Sequence, residues 1–172
     1  MEKKIPNIYL ITCDESVWIT YYTTKLINKY LPNINIYLLG YSVPKIDYDK
    51  NVTFISLKSK RNKITWFRDI SDYLKTIKDD IIIFSVDDLP IIDIVNKDFL
   101  EYCIDYINKN KVALIYGDYC VRDNNFIFED QNYKIEESPH HPSLWGLNIW
   151  KKDCLIKILE YDFSNYINYN FQ

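Results

Sequence analysis

Ile81-Ile82-Ile83-Phe84-Ser85-Val86 is an apolar run that passes directly into two adjacent carboxylates, Asp87 and Asp88, and then into Leu89-Pro90. A strand this apolar has no face to offer water and belongs at the centre of a sheet covered on both sides, the arrangement of parallel α/β proteins. Such strands normally end in a turn, not in two like charges. Two carboxylates at the carboxyl end of a buried strand make a site for a hard cation that could hold a pyrophosphate. That end of a parallel sheet is also where open α/β folds bind their ligands. Side by side the two charges repel, and one carboxyl must hold its proton more tightly unless a cation lies between them. The structural alternative has Asp88 capping the turn at Leu89-Pro90 while Asp87 is solvated.

The rest of the chain alternates strand and helix. Strands are expected at residues 7–12, 35–39, 51–57, 80–86 and 112–116, and 144–150 is expected to be extended. A helix is expected over 17–30, with Ile19, Tyr22, Leu26, Ile27 and Tyr30 inward and Pro32 as its stop. A second, over 66–77, places Trp66, Ile70, Tyr73, Leu74 and Ile77 on one face. A third, over 99–108, turns Leu100, Cys103, Ile104 and Ile107 inward, and a last one runs from Asp153 to Leu159. Residues 121–136 read as a loop or hairpin, with a strand near 133–135. No repeat or linker interrupts the pattern, so the 172 residues form one α/β domain with a mainly parallel central sheet flanked by helices.

Composition narrows the function classes. A net charge of −3 offers no broad basic face and argues against a general nucleic-acid binder. Cys13, Cys103, Cys120 and Cys154 are widely spaced, with no metal-binding pattern, and read as buried thiols in a reducing compartment. The start of the chain lacks a signal-peptide pattern, and no run reaches the roughly 20 apolar residues of a membrane span. A soluble, cytoplasmic protein is expected.

Three further groups fall where a βαβ fold gathers its loops. Thr12-Cys13-Asp14-Glu15 follows the first strand, where a carboxylate could accept hydrogen bonds from a nucleobase or ribose; equally, Asp14 or Ser16 could cap the next helix. Lys60, Arg61, Lys63 and Arg68 supply cations suited to a pyrophosphate, or else form a solvated basic loop. His140-His141, the only histidines, lie between prolines. One imidazole joining a carboxylate would favour Mn²⁺ over Ca²⁺, and the alternative is a surface loop.

In their order and spacing these stretches resemble GT-A glycosyltransferases, and the resemblance covers nearly the whole chain. The opening Ile8-Tyr9-Leu10-Ile11-Thr12-Cys13-Asp14, with its helix and Ile36-Tyr37-Leu38-Leu39-Gly40, resembles the nucleotide-binding start of that Rossmann-like fold. Residues 66–89 resemble the helix and strand leading to its acidic DxD motif, here Val86-Asp87-Asp88-Leu89-Pro90 with the two acids adjacent. Residues 142–155, with Trp150-Lys151-Lys152-Asp153, resemble the acceptor-side strand and helix. The resemblance implies a donor-binding part over about 1–95 and an acceptor-side part over about 96–172. It further implies transfer of a sugar from a nucleoside diphosphate sugar to a glycan or other hydroxyl acceptor, aided by Mn²⁺ or Mg²⁺. Asp87, Asp88 and His141 would hold the metal; Thr12, Asp14, Lys63, Arg68 and Asp87 would hold the donor.

The chain departs from that pattern in two respects. It is shorter than most such enzymes, and it ends in Gln172 where members often carry an acidic base; an amide cannot take a proton from an acceptor hydroxyl. Inversion would then need Asp118, Glu136 or Glu137, with Asp118 and Glu137 the favoured catalytic candidates. Retention would need none of them. The alternative function is a GT-A-like module that binds a nucleotide sugar or glycan without turnover. A receiver-type signalling domain could use the same acids but has no place for the elements after Tyr133. The absence of a glycine-rich turn after the first strand argues against a dinucleotide enzyme.

Overall fold

The computed structural model describes residues 5–58, 62, 65–110, 112–117 and 147–160. Within them run β1 (Ile8–Ile11), α1 (Ile19–Tyr30), β2 (Ile36–Gly40), β3 (Val52–Ser56), α2 (Trp66–Leu74), β4 (Ile81–Val86), α3 (Lys97–Lys109), β5 (Leu114–Gly117) and β6 (Leu147–Lys151). A final helix, α4, occupies 152–160. The six strands form one sheet in the order β3-β2-β1-β4-β6-β5. The first four are parallel, β6 runs antiparallel to β4, and β5 antiparallel to β6.

Every residue of β1 and β4 is buried, as an all-apolar strand requires. Alternate residues serve two cores. Ile8, Leu10, Ile81 and Ile83 pack with Ile27 of α1 and with Leu100, Cys103 and Ile107 of α3. Tyr9, Ile11, Ile82 and Phe84 pack with Ile70 and Leu74 of α2, with Trp150, and with Leu155, Ile156 and Leu159 of α4. The inward residues expected for α2 and α3 lie in or against these cores.

Helix α1 differs from its expected face. Its buried residues are Thr20, Thr23, Thr24 and Ile27, while Tyr22 is 61% exposed. Threonine can be buried here because each hydroxyl finds an acceptor. Thr20 donates to the Val17 carbonyl, Thr24 to that of Tyr21, and Thr23 across to that of Asp87. Ile27 is buried and Tyr30 packs against the core as expected, so the face is shifted, not reversed: satisfied threonine hydroxyls take the place expected for Tyr22. Pro32 does follow its end, and Asn33 takes a left-handed φ of 67°, a conformation asparagine tolerates. The thiols also depart from expectation. Cys103 is buried, Cys13 and Cys154 are only partly covered, and Cys120 lies outside the described residues.

Candidate functional site at the β1–β4 switch point

From β1 the chain steps to β2 and β3 on one side and then returns to β4 on the other, so the topological switch point lies between β1 and β4. Their register, Ile8↔Ile83 through Ile11↔Val86, ends both strands together. Thr12 and Asp87 are therefore the first residues past the sheet on either side of the crevice where this fold class binds ligands.

Asp87 is 6% exposed and held from four directions. Its N–H donates to the Ile11 carbonyl at 3.0 Å. Its Oδ2 accepts from Thr12 Oγ1 and from Ser16 Oγ, each at 2.6 Å, and its carbonyl accepts from Thr23 Oγ1 at 2.5 Å. Asp88, one residue on, is exposed. The acidic pair thus divides into one anchored and one open carboxylate.

Neither Asp14 nor Ser16 caps α1, whose N-cap Trp18 makes no side-chain cap bond. Ser16 serves Asp87 instead, and exposed Asp14 accepts from Ser42 N and Ser42 Oγ, both at 3.0 Å, tying the β1–α1 turn to the segment after β2. Beside them, buried Asp69 at the start of α2 accepts from Tyr41 Oη at 3.0 Å and pairs with Lys58, which follows β3. Arg68, in the first turn of α2, is exposed. With Asp72, Lys75, Leu159 and Glu160 it lines a cavity of about 320 Å³ between α2 and α4, where Lys75 pairs with Glu160 and holds that carboxyl below its usual range.

Of the residues expected to act, Thr12, Asp14, Asp87 and Asp88 gather at this crevice. Lys63, Asp118, Glu136, Glu137, His140 and His141 lie outside the described residues, as does the hairpin expected at 121–136. Among the described residues no three His, Cys, Asp or Glu side chains cluster as a metal site. No role for Thr23, Ser42, Tyr41, Asp69 or Lys58 was legible in the sequence. An isolated hydroxyl or acid carries no signal until the fold supplies its partner.

This strand order and switch-point crevice define a GT-A-type, Rossmann-like fold, the architecture of glycosyltransferases and nucleotidyltransferases. In particular, the chain superimposes on the apo-form glycosyltransferase GlyE of Streptococcus pneumoniae TIGR4 with a TM-score of 0.57 and 12% identity, covering 96% of this chain and 40% of that one. A cytidylyltransferase from Leptospira borgpetersenii gives 0.54 at 14% identity, covering 97% and 71%. The galactosyltransferase LgtC, solved with donor and acceptor sugar analogues, gives 0.52 at 12%, covering 94% and 64%. No family model and no curated protein sequence matches the chain. Among the described residues no helix is long and apolar enough to cross a membrane.

Proposed function

We propose that this chain is a nucleotide-sugar-dependent glycosyltransferase domain, transferring a sugar from a nucleoside diphosphate sugar to a glycan or other hydroxyl acceptor. The observation that carries this reading is the acidic pair at the carboxyl end of β4, across the switch point from Thr12 and Asp14. Oxygen donors of this kind fit a hard divalent ion such as Mn²⁺ or Mg²⁺, with Asp87 and Asp88 as its protein ligands; an imidazole from His141 would tilt the preference to Mn²⁺. The ion, when bound, neutralises the departing diphosphate. Asp14, exposed beside the crevice, would accept hydrogen bonds from base or ribose, and Lys63 would meet phosphate. In the reaction the acceptor oxygen bonds to the anomeric carbon and the bond from that carbon to phosphate oxygen breaks. The nucleoside diphosphate leaves with the electron pair, and the acceptor proton passes to a base, for which Asp118 and Glu137 are the candidates under inversion.

A thermal-shift screen against UDP-, GDP-, dTDP- and CMP-sugars, each with Mn²⁺ and with EDTA, tests the reading. CTP is included because cytidylyltransferases share the fold. A ligand at 100 times its Kd stabilises the folded state by about 2.7 kcal/mol, and each kcal/mol moves the midpoint of a domain this size by roughly 2–4 °C. A rise of several degrees with one sugar nucleotide, lost in EDTA and lost in Asp88→Ala, is expected. No rise with any sugar nucleotide would remove the reading, and a rise with CTP alone would point to nucleotidyl transfer. Nucleoside diphosphate released only when acceptor is present separates an enzyme from a binding module.

A further inference from the structure

We propose that Thr12 and Ser16 are positioning residues that hold the Asp87 carboxylate for a hard divalent cation. The inference rests on the reading of Asp87-Asp88 as a cation site and assigns it two residues outside the acidic pair. Both hydroxyls donate to the same oxygen, Oδ2, at 2.6 Å, the short range of bonds to an ionised acceptor. The other oxygen, Oδ1, accepts no hydrogen bond among the described residues. The backbone is clamped as well, through Ile11 and Thr23, so the carboxylate has little freedom to turn. Two fixed donors on one oxygen leave the other as the available ligand atom. Hydrogen-bonding partners of a ligating carboxylate typically carry 10–100-fold of metal affinity.

Thr12 permits a clean separation of this role from packing. Its methyl, Cγ2, sits close to Gly40, while its hydroxyl faces Asp87. Thr12→Val keeps the methyl and removes the donor; Thr12→Ser keeps the donor and removes the methyl. Mn²⁺ binding to the full chain, without nucleotide, is followed by the loss of the free-ion electron paramagnetic resonance signal. Thr12→Val is expected to weaken binding 10–100-fold, Ser16→Ala to weaken it in the same direction, and Thr12→Ser to stay within about threefold of the parent. Ser16 is only partly buried, so its variant reads the site even if Thr12→Val folds poorly. Parent-like affinity in Thr12→Val and Ser16→Ala would overturn the positioning role and leave the Asp87-Asp88 site standing. Equal losses in Thr12→Ser and Thr12→Val would assign the effect to packing and overturn it too. Parent protein that binds no Mn²⁺ would remove the cation site itself.

Discussion

The Asp69 carboxylate has no exposed side-chain surface, and it meets Tyr41 Oη and the half-exposed Lys58 ammonium. Removing one partner of such a pair leaves a charge in a poorly solvated place, whereas an exposed pair simply rehydrates. Lys58→Met is therefore expected to cost about 2 kcal/mol, below the usual range for fully buried pairs because Lys58 keeps half its contact with water. Lys25 and Asp49 lie 2.6 Å apart in solvent, and Lys25→Met is expected to leave stability unchanged within error. Urea denaturation of both variants checks this contrast. Equal midpoints would mean that Asp69 gains nothing from Lys58. Neither pair is visible in the sequence, where Lys58 reads as one more cation beside a basic stretch.

At the level of elements, the pairing of β1 with β4 raises a problem of register. A strand apolar on both faces can slip by one residue without exposing a polar side chain, so hydrophobic pattern alone specifies its alignment weakly. Polar groups at the two ends do it instead. Before β4, Asp79 accepts from Asn7 Nδ2 at 2.7 Å and Tyr9 Oη at 2.6 Å; after it, Asp87 takes Thr12, Ser16 and Thr23. A slip would break both sets. Thr23→Val keeps the shape of the side chain but removes the donor to the Asp87 carbonyl, and is expected to cost about 1–2 kcal/mol. Its urea midpoint, compared with that of Thr23→Ser, checks this; equal loss in both would place the effect in the methyl. Gly40, at the end of β2, serves the same corner. A Cβ there would meet the Phe54 ring at 2.9 Å and the Thr12 methyl at 3.0 Å. Gly40→Ala is expected to cost about 1–3 kcal/mol, read from its urea midpoint, and an unchanged midpoint would mean that the Phe54 ring swings clear.

For the molecule as a whole, the two cores share one vulnerability. Burial pushes the Cys103 thiol up to about 12, on the α3 side of the sheet. Burial, reinforced by the bond to Asp79, also holds the Tyr9 hydroxyl far above its usual range, on the α2 side. Both groups are neutral when protonated, and their proton affinity is higher folded than unfolded. Their stabilising effect is complete below the unfolded-state values, near 9 for the thiol and 10 for the phenol, and is lost as pH rises toward the folded ones. Folding stability is expected to fall steadily above pH 9, and Cys103→Ala to flatten the first part of that decline. Urea midpoints between pH 7 and 11 check this, and a flat profile in the parent protein would mean that neither group stays protonated in the folded state.

The alternation of apolar runs and helical stripes, and above all Ile81 to Val86 running into Asp87-Asp88, determined from the sequence alone an α/β domain with a parallel centre and a ligand end. Local pattern can do this because burial on two faces leaves its mark residue by residue. Where polar groups do the burying, the pattern misleads. The threonine face of α1 looked like surface, because a hydroxyl counts as polar until its acceptor is in place. Asp87 and Asp88 both read as cation ligands, and only the meeting of β1 with β4 made Asp87 an anchor and left Asp88 open to solvent. Thr12 and Asp87 are 75 residues apart in the chain. What joined them was strand order and register, which depend on contacts between distant segments and so belong to the tertiary structure.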